Sequence, residues 1–184
     1  LADTTARARF EREARVTASI DCEHVIDVLD AGIDSATALP FLVMELLEGQ
    51  DLAAYLKTQG PLPSLRVLDF VRQVALGLET IRAEGIAHRD LKPENLFLHR
   101  PGKPDERVVI VDFGIAKYVQ ASGNRTDAII GTPLYVAPEQ VQFRREEVGP
   151  AAYIYGLGMV TYTLLVGEPY FTGSAPSPAG LPQI

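Results

Sequence analysis

The sequence predicts an α+β fold in which the helical part is the larger, and three observations carry that prediction. Short runs with strand character lie between residues 25 and 46 and again between 96 and 111. Residues 65–84 place apolar side chains at helical spacing. A second, almost wholly apolar helix occupies residues 152–166. With 47% hydrophobic and 22% charged residues, the chain has enough apolar material for a core.

In chain order, residues 5–19 read as a helix with Phe10, Ala14, Thr17 and Ala18 on one side. Two strands follow, Val25–Leu29 and Leu39–Leu46, with Asp30-Ala31-Gly32 as the turn signal between them. Gly49 and Gln50 end the second run, and a short helix covers Leu52–Lys57. Pro61-Leu62-Pro63-Ser64 is a helix start with Ser64 as its cap. The helix it opens carries Val67, Phe70, Val71, Val74, Leu78 and Ile81, and Gly85 closes it. Strands at Leu96–His99 and Val108–Val111 are joined by the turn-rich Arg100–Glu106. A polar loop, Lys117–Asp127, precedes the apolar helix Ala152–Val166, and the Pro- and Ser-rich end reads as a tail. No internal repeat is visible.

Composition excludes several functions. Seventeen basic against 24 acidic residues give a formal charge of −7, the wrong sign for a general nucleic-acid binder. One cysteine, Cys22, excludes an intramolecular disulfide and a cysteine-rich metal cluster. The start of the chain lacks the apolar block of a signal peptide, which points to a true start upstream of Leu1. Residues 148–167 carry no charge and reach the length of a membrane span. Gly149-Pro150, Gly156, Gly158 and three mid-stretch tyrosines favour a buried core helix instead.

Three blocks carry chemistry: IAHRDLKPENLFL from Ile86, VDFGIAK from Val111 and GTPLYVAPE from Gly131. In this order, with 22 positions from Asp90 to Asp112 and 27 from Asp112 to Glu139, they closely resemble the protein kinase family. Lys92-Pro93-Glu94-Asn95 and Thr132 resemble its serine/threonine-specific branch. The runs FEREAR, VMELLEG and GLGMVTYTLLVGEPYFTG are similar to bacterial Hanks-type kinases in particular. The resemblance implies a protein-kinase-like fold with a partial small lobe at 1–46, a large lobe at 47–173 and a tail at 174–184.

It also implies transfer of the ATP γ-phosphate to Ser or Thr of a protein substrate, with ATP and Mg²⁺ as cofactors. Asp90 then orients the substrate hydroxyl, Lys92 neutralises the transferred group, and Asn95 and Asp112 offer oxygen to Mg²⁺. Met44 matches the gatekeeper, and Glu45 and Leu47 the hinge that pairs with adenine. Asp51 matches a ribose contact, while Phe97 and Val111 line the adenine pocket. Glu13 matches the ion-pairing glutamate of the regulatory helix, and Arg89 the arginine that clamps a phosphorylated activation loop. Thr126 is the expected phosphorylation site, and Thr132 approaches the catalytic residues. His88 reads as a packing histidine.

Two features depart from the family pattern. No glycine-rich loop precedes Glu13, and the first lysine is Lys57, so the expectation is a truncated catalytic domain. Tyr153 stands where the family carries an aspartate that accepts hydrogen bonds from the catalytic loop. These departures keep a second reading open, a non-catalytic pseudokinase or gene remnant acting as a binding module. The expected setting is cytoplasmic, either free or as the cytoplasmic part of a membrane-anchored kinase.

Overall fold

The computed structural model describes residues 10, 14, 16–37, 39–85, 88, 90–112, 134–141 and 150–171. Its ordered elements are β1 (Val28–Ile33), β2 (Pro40–Met44), β3 (Gly49–Asp51), α1 (Leu52–Gln59), α2 (Ser64–Ala83), β4 (Leu96–His99), β5 (Arg107–Ile110), α3 (Pro138–Val141) and α4 (Pro150–Val166). A single 3₁₀ turn, Pro93–Asn95, runs into β4. The strands form an antiparallel pair, β1–β2, and an antiparallel three-stranded sheet ordered β3–β4–β5. The α+β expectation with a predominantly helical second part holds.

Helix α2 organises the core. Val67, Phe70, Val74, Leu78 and Ile81 recur at three- and four-residue spacing and are buried together against Leu96, Leu98 and the β5 valines. The same face carries Gly77, where a Cβ would lie 2.9 Å from both the His24 carbonyl oxygen and the Ile110 side chain. Only glycine lets the loop before β1 pass between α2 and β5. Val160 and Leu164 of α4 join this core, and the Leu62 N–H donates to the Leu164 carbonyl (2.9 Å).

An edge strand must satisfy its outward N–H and C=O groups, and β5 does so with side chains and loop backbone. The Val108 N–H donates to Gln73 Oε1 (2.7 Å), and the Val108 carbonyl accepts from His24 Nδ1 (3.1 Å). The Ile110 N–H donates to the His24 carbonyl, and the Ile110 carbonyl accepts from the Ile26 N–H. Gln73 is held in turn by Asp69 (2.8 Å). This closes the outer edge of β5 at Val108 and Ile110.

Ion pairs tie the β4–β5 loop down. Arg66 meets Glu106 through two short contacts (2.6 and 2.7 Å) while stacking 4.7 Å over the Phe70 ring. The Gly102 N–H donates to the same carboxylate. Arg100 adopts a positive φ of 48°, a conformation side chains rarely take. Its guanidinium bonds Asp105 (2.7 Å) and Glu48 (3.1 Å), which offsets that strain.

Four expectations need correction. Asp30-Ala31-Gly32 lies inside β1, and the turn falls later, where Asp34 Oδ1 accepts from the N–H groups of Ala36 and Thr37 and from the Thr37 hydroxyl. A short carboxylate bonding its own chain two and three residues on makes a stronger turn than a glycine alone. Val25 makes a parallel bridge to Ile110 rather than opening the first strand. Gly49–Asp51 forms a strand of its own: Gly49, at φ 147°, sits where a Cβ would strike the Leu98 carbonyl oxygen. Ser64 is the first helical residue and makes no side-chain cap, since Pro63 takes the cap position. The C-terminal expectation holds, with Gly85 at φ 73° just past the helix. The apolar stretch forms α4, a buried core helix on the side of Ala152, Val160 and Leu164. Among the described residues no helix is long and apolar enough to cross a membrane.

Replacing Gln73 with Met is expected to leave the Val108 N–H buried and unpaired, at a cost of about 1–3 kcal/mol in urea denaturation. A second expectation concerns acid. Burial pushes the Glu106 carboxyl up, but the Arg66 guanidinium and the Gly102 N–H outweigh it and hold the group below its ordinary value of 4.5. A depressed carboxylate contributes stability above that ordinary value and loses it as pH falls through the lower folded value. Thermal melts from about pH 6 to about pH 3 should therefore fall less steeply in Glu106→Gln than in the parent.

Candidate active site

The register of the three-stranded sheet gathers the candidate residues. Asp51, the last residue of β3, pairs with Phe97 of β4. Leu96 pairs with Ile110, which sets Asn95, one residue before β4, beside the exit of β5. There the Val111 N–H donates to the Asn95 carbonyl (3.0 Å), and Asp112 is the next residue. Two residues 17 positions apart in sequence, Asn95 and Asp112, are brought together by a ladder of backbone bonds.

Asp90, Lys92 and Asn95 form one connected unit. Asn95 Nδ2 donates to the Asp90 carbonyl oxygen (2.8 Å) and to Asp90 Oδ2 (3.3 Å). Lys92 Nζ lies 3.3 Å from the same Oδ2. The Asn95 N–H donates to the Lys92 carbonyl (3.0 Å), closing the 3₁₀ turn that Pro93 opens. Asn95 is buried, whereas Lys92 and Asp90 keep access to solvent. Below the loop, Leu91 is buried against α4 at Gly156. His88 is buried, as a packing histidine should be.

Because the Asn95 amide nitrogen is committed to Asp90, the carboxamide oxygen is the atom left to face another group. An amide oxygen and the Asp112 carboxylate are hard donors suited to Mg²⁺. Among the described residues no three His, Cys, Asp or Glu side chains could hold a metal ion.

Glu45 and Leu47 lie in the connection between β2 and β3. The Glu45 N–H donates to the Asp27 carbonyl (3.0 Å), while Leu47 is half-buried against the core. Among the described residues, neither the Glu45 carbonyl nor the Leu47 N–H has a backbone partner. Asp51 has a duty that sequence reading missed: its Oδ1 accepts the Ala54 N–H (2.8 Å) and caps α1. The signal was present, since Asp51 directly precedes a helical run. Met44 is half-exposed at the end of β2. Tyr153 packs against the core from α4. Glu13, Arg89, Thr126 and Thr132 lie outside the described residues.

Comparison with known proteins points one way. The protein kinase domain profile matches residues 2–180. The chain is 36% identical over 179 residues to serine/threonine-protein kinase PknB of Mycobacterium tuberculosis, covering 95% of this chain and 28% of that protein. It is 39% identical over 171 residues to PknA of Corynebacterium glutamicum, covering 91% of this chain and 35% of that protein. The chain thus spans about a third or less of the length of these relatives. Among solved structures, the Mycobacterium tuberculosis PknI kinase domain superposes with a TM-score of 0.73 at 28% identity, over 100% of this chain and 68% of that one. Rad53 in complex with AMP-PNP superposes with a TM-score of 0.74 at 27% identity, over 90% of this chain and 40% of that one.

Truncating Asn95 to Ala removes both bonds that this buried side chain makes to Asp90. A loss of about 1–3 kcal/mol in urea denaturation is expected. Amide exchange should rise first in the Asp90–Asn95 loop if these bonds are what order it.

Proposed function

The chain belongs to the protein kinase family, and from that premise we propose that it carries the catalytic centre of an ATP-dependent serine/threonine protein kinase. The observation that supports this most is the hydrogen-bonded unit of Asp90, Lys92 and Asn95 set beside Asp112 by the β4–β5 register.

Phosphoryl transfer needs little covalent chemistry from a protein and much positioning and charge neutralisation. In this reading Asp90 accepts a hydrogen bond from the substrate Ser or Thr hydroxyl and aims it. Asn95 holds the Asp90 carboxylate in place through Nδ2. Lys92, beside Asp90 and reaching solvent, neutralises charge on the transferred group. Asn95 Oδ1 and Asp112 would hold Mg²⁺, which when bound neutralises the nucleotide phosphates. The Glu45 carbonyl and Leu47 N–H would pair with adenine, Phe97 and Val111 would floor the base, and Asp51 would reach the ribose. Glu13, Arg89, Thr126 and Thr132 complete the proposal as regulatory residues, with Thr126 the phosphorylated one.

The test is transfer of labelled phosphate from ATP to a generic basic protein by the natural gene product, in Mg²⁺. Asp90→Asn should reduce turnover by at least about 10²-fold, the scale of a lost general base. Mg²⁺-dependent binding of a fluorescent ADP should disappear in Asp112→Asn. Unchanged transfer in Asp90→Asn would show that the acidic residue is not the one that aims the hydroxyl.

A further inference from the structure

Arg107 opens β5, five positions before Asp112, and the resemblance assigns it nothing. The structure gives it two partners on two other segments. Its Nε donates to the Glu23 carbonyl (3.0 Å), in the loop before β1. Its Nη2 contacts Glu45 Oε2 (3.3 Å), in the connection that follows β2.

Glu45 is held on its other side as well. Its Oε1 accepts the Asp27 N–H (3.3 Å), and its own N–H donates to the Asp27 carbonyl (3.0 Å). Side chain and N–H of one residue are thus tied to β5 and to the segment entering β1. Of that residue's two backbone groups, the one without a backbone partner among the described residues is the carbonyl, the atom that the kinase reading gives to the adenine amino group.

A surface ion pair would carry little weight. Arg107 and Glu45 are not such a pair: their side chains retain only 23% and 24% exposure. The guanidinium also bonds a backbone carbonyl at the same time, through a second N–H of its planar fork. The loop before β1 is bonded to Ile110 at the far end of β5 through His24 and Ile26. Arg107 is its anchor at the near end.

We propose that Arg107 is a positioning residue that, through Glu45, fixes the Glu45 carbonyl for the amino group of adenine and so favours ATP over GTP. This rests on the nucleotide-binding reading above. Guanine presents a carbonyl oxygen where adenine presents an amino group, so a rigid carbonyl acceptor repels the one and bonds the other. Once Arg107 is lost, Glu45 keeps only its bonds to Asp27, its carbonyl is held less firmly and the discrimination declines.

The experiment compares the parent with Arg107→Met, which keeps length and removes charge, and Arg107→Lys, which keeps the charge near Glu45. Hydrogen exchange is read at the Asp27 and Glu45 amides, and affinities are measured for fluorescent ADP and GDP. Arg107→Met should speed exchange at those two amides about tenfold, with the amide of Val74 unchanged, and lower the ADP-to-GDP affinity ratio about tenfold. Arg107→Lys should recover part of the ratio. Equal weakening of both nucleotides, or faster exchange throughout the core, would reduce Arg107 to a stabilising residue and overturn the proposal. A parent protein that binds neither nucleotide overturns the reading beneath it. That failure is distinguishable, because the exchange measurement needs no ligand.

Discussion

One backbone hydrogen bond, from the Val111 N–H to the Asn95 carbonyl, is the constraint on which the rest of the site depends. It extends the β4–β5 ladder one step beyond the strands. Asn95 is thereby fixed in space relative to Asp112, although neither residue lies in a strand. Asn95 then reaches back to Asp90, and Asp90 engages Lys92. A candidate site made of loop residues inherits the precision of a sheet, because each loop residue is within one or two bonds of the ladder.

That ladder stays in register because its outer edge is closed. Backbone groups at an open edge exchange partners with water or with another chain. Here Gln73, His24 and the segment before β1 take the groups of Val108 and Ile110. Buried polar side chains are costly unless satisfied. Gln73 and His24 meet that condition by bonding the strand itself. The closure also joins the two sheets, since the segment that covers β5 leads directly into β1. Charged residues act at the ends of this arrangement rather than at its centre. Arg66 and Glu106 close the β4–β5 loop, Arg100 joins Glu48 to Asp105, and Arg107 joins Glu45 to Glu23.

Two of the places where sequence reading failed share a cause. Gly49–Asp51 shows no alternation and no β-branched residue, so nothing local marks it as a strand. It becomes one because β4 offers an edge and Gly49 can approach the Leu98 carbonyl. Asp30-Ala31-Gly32 carries ordinary turn residues but is drawn into β1 by pairing with residues 41–43, and the turn passes to Asp34, whose carboxylate can hold it. Ser64 lost the capping role because Pro63 already supplies an extended residue before the first helical turn. In the first two cases a contact distant in sequence outweighed a local preference of about 1 kcal/mol, and at Ser64 the adjacent proline did.

The order of the elements apart from β3 and α3, the face of α2 that is buried, the burial of α4 and the motifs that mark the family were legible in the sequence alone. These properties follow from periodicity and from short motifs, in which the information is local. The tertiary structure alone decided that Asp51 caps α1 while lying beside Phe97, that Gly77 admits the loop before β1, and that Arg107 reaches Glu45. Each of these depends on strand register and on the direction of side chains from separate segments. No local pattern encodes such a meeting, because it arises only when one hydrophobic face has packed and has brought distant backbone to within hydrogen-bonding distance.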